Sequence, residues 1–109
     1  MGRVRSMKMD TLVTEKDFME SVVELARLTG WLCYHTHDAR RSEPGFPDLA
    51  MTRGGRVVFA ELKSDKGKVS PAQREWLTAL ASCPGVEVFV WRPADWDEIE
   101  RTLTLKARP

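Results

Sequence analysis

The chain has 109 residues, the size of one small domain, and its 42% hydrophobic and 30% charged residues exclude both a wholly disordered protein and a membrane-spanning one. A formal net charge of +1 does not by itself indicate a nucleic-acid partner. The charge is unevenly placed, because residues 40–74 hold eight Lys and Arg against four Asp and Glu, which favours either contact with a polyanion or a solvated charged surface.

The basic N-terminal segment, residues 1–13, is predicted to be a flexible arm before a single domain over residues 14–105, with a frayed tail at 106–109. It lacks the apolar stretch of a signal peptide, so we expect a cytoplasmic protein, in the host cell if a phage encodes it. Cys33 and Cys83 have no zinc-ligand spacing and are expected to be reduced, buried small residues.

The first predicted helix begins after Thr14 and ends at Gly30, because Phe18 and Val22 belong to an apolar stripe at helical spacing. Glu15 lies about 60° from Phe18 around the helix axis, inside this stripe, so its carboxylate is predicted to face inward. Burial of a carboxylate is costly, and a bound cation would compensate it. In the alternative, Glu15 is partly exposed and stabilises the helix dipole.

Three strands are predicted next: "WLCYHTH" at residues 31–37, then residues 48–53 and residues 56–63. The last two are joined at Gly54-Gly55, a dipeptide that suits a two-residue hairpin turn because both positions need positive φ. The intervening loop "DARRSEP" carries Arg40 and Arg41, which either contact phosphates or are solvated.

A second helix is predicted to open with Ser70 as N-cap and Gln73 completing a capping box. The run "VEVFVW" at residues 86–91 is predicted to be a central strand, and "DWDEIERTL" at residues 95–103 a closing helix. The four tryptophans have apolar neighbours and are predicted to lie in the core; in the alternative, Trp31 or Trp91 lies at an exposed edge and serves an interface. The predicted order is therefore α-β-β-β-α-β-α, an α/β fold.

The hairpin turn brings two acids together, because its register places Asp48 opposite Glu61 on one face of the sheet. Lys63 projects from the same face, two residues beyond Glu61. Two paired carboxylates destabilise a sheet unless something neutralises them. Either Lys63 forms a surface ion pair with them, or a hard cation such as Mg²⁺ or Mn²⁺ lies between them.

These motifs resemble those of a nuclease superfamily. Pro47-Asp48, followed by Glu61-Leu62-Lys63 after a helix with an acid, is similar to the PD-(D/E)XK nucleases. The strings "RRSEPGFPDLA", "VFAELKSDKGKVSPAQREWL" and "VFVWRP" resemble more narrowly the virus-type replication-repair nuclease (VRR-NUC) family, over a likeness from Thr14 to Ile99. The resemblance implies a restriction-endonuclease-like core, a mixed four-stranded sheet flanked by helices.

The resemblance also assigns roles to single residues. It implies that Asp48, Glu61 and the backbone carbonyl of Leu62 hold the cation, and that Lys63 orients water or stabilises charge on the phosphate. Glu15 matches the family's helix acid, although Met19 stands where the family often has Gln, and Gln73 matches a position that is also explained by its capping box. The predicted nucleic-acid contacts are Arg40, Arg41, Ser42, Lys66 and Lys68.

We therefore expect a Mg²⁺- or Mn²⁺-dependent DNA endonuclease of phage type. As the resemblance implies, it would act on branched DNA such as a Holliday junction and form a homodimer. One alternative is a catalytically silent nuclease fold that binds DNA or serves as a subunit of a larger nuclease complex. Another is a metal-free interaction domain. His35 and His37 are expected to pack or to contact DNA rather than to bind zinc.

Overall fold

The computed structural model of the protein describes residues 14–36 and 43–105. The arm at 1–13, the tail at 106–109 and the predicted contacts Arg40, Arg41 and Ser42 lie outside the described residues, as does His37. The helices are α1 (Glu15–Leu28), α2 (Pro71–Ala81) and α3 (Trp96–Thr104), and a 3₁₀ turn spans Pro93–Asp95. The strands are β1 (Leu32–His35), β2 (Leu49–Arg53), β3 (Arg56–Leu62) and β4 (Val86–Trp91). The predicted order of elements is confirmed.

One mixed sheet contains the four strands in the order β1-β2-β3-β4. The first three form an antiparallel meander, and β4 runs parallel to β3. The prediction that β4 is central was wrong: β4 is an edge strand, because the crossover through α2 returns the chain beside β3 while β2 already occupies the other side. Its apolar run is explained by packing against α2 and by Phe89 and Trp91 on the core side.

The β2–β3 hairpin has the predicted register. Gly54 and Gly55 adopt φ values of 58° and 84°, as a two-residue primed turn requires. Arg53 pairs with Arg56, and the ladder continues to Leu49 opposite Ala60. Residues 48 and 61 are therefore the next pair along the same register, just beyond the last ladder position.

The core lies between one face of the sheet and helices α1 and α3. Phe18, Val22 and Ala26 supply the buried stripe of α1, and Leu103 of α3 is fully buried. Trp31 is buried between these helices and donates its Nε1–H to the carbonyl of Leu103 at 2.9 Å. Three of the four tryptophans are buried as predicted, namely Trp31, Trp91 and Trp96, whereas Trp76 on α2 is half-buried.

Two arginines fix the turn end of the hairpin. The guanidinium groups of Arg53 and Arg56 each lie 4.9 Å from the centroid of the Trp31 ring. Both also donate to carbonyls at the C-terminal end of α3, and Arg56 forms a 2.8 Å ion pair with Glu87. This end of the hairpin is therefore anchored by cation–π contacts and charge-assisted hydrogen bonds. Asp48 and Glu61 lie at its opposite end.

The two cysteines differ in exposure. Cys33 is half-buried but Cys83 is exposed, so the predicted burial of Cys83 was wrong; the residue lies in the turn after α2, outside the core. Within the two described ranges, no helix has both the length and the apolar character needed to cross a membrane.

Candidate active site

Asp48 lies at the open end of the hairpin and is held from both sides. Its Oδ2 accepts a 2.8 Å hydrogen bond from the backbone N–H of Leu62, at the end of β3. Its backbone carbonyl accepts the N–H of Thr36, which follows β1, at 3.0 Å. The carboxylate of Asp48 is therefore held by the end of β3, and its backbone is held by the residue that follows β1.

Glu61 is the buried partner of Asp48, with only 3% of its surface exposed. Its Oε2 accepts a 2.8 Å hydrogen bond from Nε2 of Gln73 and lies 3.6 Å from Nζ of Lys63. Its Oε1 is also buried, and no N–H or O–H group of the described residues donates to it. A buried carboxylate oxygen without a donor is costly unless something else binds it.

Gln73 belongs to the capping box of α2 and also contacts Glu61. Its backbone N–H donates to Oγ of Ser70 at 3.1 Å, and its side-chain Oε1 accepts the N–H of Ser70 at 2.9 Å, which completes the capping box of α2. The Nε2 end of the same amide reaches Glu61. The start of α2 is thereby tied to the candidate site.

Burial and mutual repulsion perturb both acids. Burial raises the pKa of Glu61 to about 7, with the negative charge of Asp48 as the next cause and Lys63 opposing it. Burial also raises the pKa of Asp48, although the Leu62 N–H and a hydrogen bond with Glu61 act in the opposite direction. The two carboxyls are thus close enough to share a proton, the arrangement in which a cation would also be attracted.

We expect Glu61→Gln to stabilise the metal-free chain by on the order of 2 kcal/mol at pH 8 and much less at pH 5. The pKa of Glu61 is about 7 in the folded state against an ordinary value of 4.5, so between pH 4.5 and about pH 7 the folded state binds more protons than the unfolded state. The wild type therefore loses stability as the pH rises through that window, and the variant has no such group. Urea unfolding in EDTA measures the difference.

Glu20→Gln is the matched control, because Glu20 is an exposed acid on α1. Its effect on unfolding should be small at both pH values. An effect of Glu61→Gln that is the same at pH 5 and pH 8 would contradict the repulsion described above.

Lys63 lies where the sequence predicted, whereas Glu15 does not. Lys63 follows β3 and lies beside Glu61, as predicted. Glu15 is exposed, so the prediction that it faces inward was wrong; the buried stripe of α1 begins one turn later, at Phe18. Its negative charge nevertheless contributes to the raised pKa of Asp48, which places Glu15 near the site.

The donor set fits a hard divalent cation. Two carboxylates, one of them with a buried oxygen that lacks a donor, match the oxygen ligands that Mg²⁺ and Mn²⁺ take. No cluster of three or more His, Cys, Asp and Glu side chains occurs within residues 14–36 and 43–105, so backbone carbonyls and water would have to complete the shell. His35, at the end of β1, is half-buried.

The loop after Lys63 is held by Arg92, a residue for which the sequence predicted no role. One Nη of Arg92 donates to the carbonyls of Ser64 and Gly67 at 2.6 and 2.7 Å. Lys66 and Lys68 are exposed on or beside this turn, and their contact with DNA stays a prediction. The β3–α2–β4 order in the sequence could have indicated this contact. Such a crossover makes the two strands parallel, and parallel pairing places Arg92, which follows Trp91, beside the residue after Leu62.

A family model and a solved structure both match this chain to the VRR-NUC domain. The VRR-NUC domain family model matches residues 7–95. A solved VRR-NUC domain protein superposes with a TM-score of 0.64 at 22% identity, over 84% of this chain and 85% of that one. Hjc, a Holliday junction resolvase from Archaeoglobus fulgidus, superposes with a TM-score of 0.50 at 23% identity, over 68% of this chain and 62% of that one. A search of curated proteins gave no significant match.

Proposed function

This chain belongs to the VRR-NUC family of nucleases, and from that premise we propose that it is a divalent-metal-dependent endonuclease that hydrolyses phosphodiester bonds in branched DNA. The observation that carries the proposal is the pair formed by Asp48 and Glu61. Glu61 is 3% exposed, has a buried oxygen without a donor and lies beside Lys63. A chain gains no stability from such a pair, whereas a metal-dependent hydrolase needs it.

Different residues would bind the metal, orient the carboxylates and stabilise charge. When bound, Mg²⁺ or Mn²⁺ would supply Lewis-acid activation of water and of the phosphate. Asp48, Glu61 and the Leu62 carbonyl would hold the ion. The Leu62 N–H and the Gln73 amide orient the two carboxylates, at 2.8 Å each. In hydrolysis a water oxygen would bond to phosphorus, the bond to the leaving oxygen would break, and the proton lost by the water would end on that oxygen. The ammonium of Lys63, 3.6 Å from Oε2 of Glu61, would stabilise the negative charge that is added at the phosphate.

A preference for branched DNA is supported by the fold shared with a Holliday junction resolvase. We propose that the chain acts on such DNA as a homodimer, because a small chain would need two sites to cut both strands of a junction. The surface available for a second copy includes β1, an edge strand on which Leu32 and Tyr34 are 75% and 61% exposed. Light scattering would measure the mass in solution.

The proposal is tested with a panel of labelled linear, flap, splayed and four-way DNA substrates in Mg²⁺, in Mn²⁺ and in chelator. We expect metal-dependent cleavage with the four-way junction cut fastest. Metal-dependent cleavage of every substrate at the same rate would support the nuclease activity and contradict the preference for branched DNA. Binding to DNA without cleavage in either metal would identify a silent binding module.

We expect Arg40→Ala with Arg41→Ala to weaken DNA binding and to reduce the slope of log affinity against log salt by roughly two units, about one for each phosphate that an arginine no longer neutralises. Binding is measured in Ca²⁺ over a series of salt concentrations. Arg101→Ala, on the exposed surface of α3, is the matched control for removal of a positive charge. An unchanged salt slope in the double variant would show that these arginines do not bind phosphate.

A further inference from the structure

We propose that Gly45 is a positioning residue for this site, because its missing side chain lets the start of α2 pack against the segment that carries Asp48; the inference rests on the proposed function. Gly45 adopts φ +86°. A Cβ atom there would lie 2.4 Å from the carbonyl carbon and oxygen of Ala72 and 2.8 Å from the backbone nitrogen of Gln73. The closest of these distances is about 1 Å shorter than van der Waals separation allows.

The contacted peptide is the one that leads into Gln73. Gln73 completes the capping box of α2 with Ser70 and donates to Oε2 of Glu61 at 2.8 Å. Because the first turn of a helix moves as a unit with its cap, a displacement of the Ala72–Gln73 peptide also displaces the Gln73 amide. The close packing at Gly45 therefore controls the hydrogen bond that orients Glu61.

The residues after Gly45 connect the same packing to the other carboxylate. The ring of Phe46 makes edge-to-face contacts with Phe59 of β3, at 6.0 Å between centroids, and with Trp76 of α2, at 5.0 Å. Pro47 is fully buried, and Asp48 follows it. One short segment thus positions Asp48 directly and Glu61 through α2, so a shift of this segment changes the spacing of the two acids.

The test compares Gly45→Ala with Gly85→Ala. Gly85 has a similar backbone, with φ +80°, but no heavy atom of the described residues lies within 4 Å of a Cβ built there. Both variants carry the same kind of backbone strain, and only the first has the steric overlap. We expect Gly45→Ala to lower kcat on a four-way junction on the order of 100-fold, because a displacement of about 1 Å at a catalytic group has that effect.

DNA affinity in Ca²⁺ should stay close to the wild-type value in both variants, since neither glycine is among the predicted DNA-binding residues. A double-mutant cycle with Gln73→Ala separates positioning from general destabilisation. If Gly45 acts through Gln73, the variant with both changes is no slower than the slower single variant, whereas independent structural damage multiplies. If Gly45→Ala does not fold, Phe46→Leu replaces it in the same cycle and should show the same non-additivity.

The results also separate this inference from the proposed function. A wild-type chain without metal-dependent cleavage overturns both. A wild type that cleaves, with equal kcat in Gly45→Ala and Gly85→Ala or with multiplicative effects in the cycle, overturns the role of Gly45 alone. A selective fall in kcat in Gly45→Ala that is non-additive with Gln73→Ala supports it.

Discussion

Lys63→Ala is expected to lower the rate of DNA cleavage by at least about 100-fold while leaving DNA affinity in Ca²⁺ nearly unchanged. Nζ of Lys63 lies 3.6 Å from Oε2 of Glu61, beside the two acids, where negative charge would develop during hydrolysis. An interaction that strengthens as that charge develops contributes to turnover more than to ground-state binding. Single-turnover cleavage and equilibrium binding on the same junction measure the two effects separately.

Lys66→Ala is the matched control, because it removes the same charge from an exposed position in the following loop. It should weaken binding slightly and reduce its salt dependence, with little change in single-turnover rate. Cleavage by Lys63→Ala at the wild-type rate would place the chemistry elsewhere or identify a contaminating nuclease. Melting temperatures of both variants show whether an inactive variant is simply unfolded.

The part of the site that the sequence predicted depends on local rules. A two-residue turn at Gly54-Gly55 has only one register, and the alternation of side chains in a strand then places Asp48, Glu61 and Lys63 together. The capping box at Ser70 is a similarly local pattern. Its glutamine could be assigned to a cap from spacing alone, while its hydrogen bond with Glu61 needed the packing of α2 on the sheet.

The features that the sequence did not predict depend on distant contacts. Arg92 acts on a loop 25 to 28 residues earlier in the chain, and Gly45 on a helix that begins 26 residues later. Helical periodicity placed Glu15 inside the apolar stripe of α1, but it could not show that the buried part of that stripe begins only at Phe18. The apolar composition of β4 led to the prediction of a central strand, but composition does not give the order of strands, and β4 lies at the edge of the sheet.

Burial of Glu61 lowers the stability of the metal-free chain but favours the proposed function. A pKa raised to about 7 shows that the folded metal-free chain disfavours the charged form of this acid. The surrounding hydrogen bonds hold it in place regardless: the Gln73 amide on one oxygen and the Leu62 N–H on its neighbour Asp48. Such preorganisation has a stability cost before the cation binds and removes the need for rearrangement afterwards.

Asp48→Asn is expected to stabilise the metal-free chain, to remove its stabilisation by Mg²⁺ or Mn²⁺, and to reduce cleavage roughly 1000-fold or more. An asparagine oxygen can still accept the 2.8 Å hydrogen bond from the Leu62 N–H, so the local geometry is kept. The charge next to Glu61 is removed, which relieves the repulsion in the empty site and takes a ligand from the occupied one.

The magnitude of the metal effect follows from mass action. A cation that binds only the folded wild type adds about 2.7 kcal/mol at a hundredfold excess over its Kd, and Asp48→Asn should gain almost none of this. Thermal unfolding in EDTA and in millimolar Mn²⁺ measures both states, with Asp17→Asn, an exposed acid in the first turn of α1, as the charge-matched control. An equal metal-induced shift in wild type and Asp48→Asn would place the cation elsewhere, and the pairing of Asp48 with Glu61 would then need another explanation.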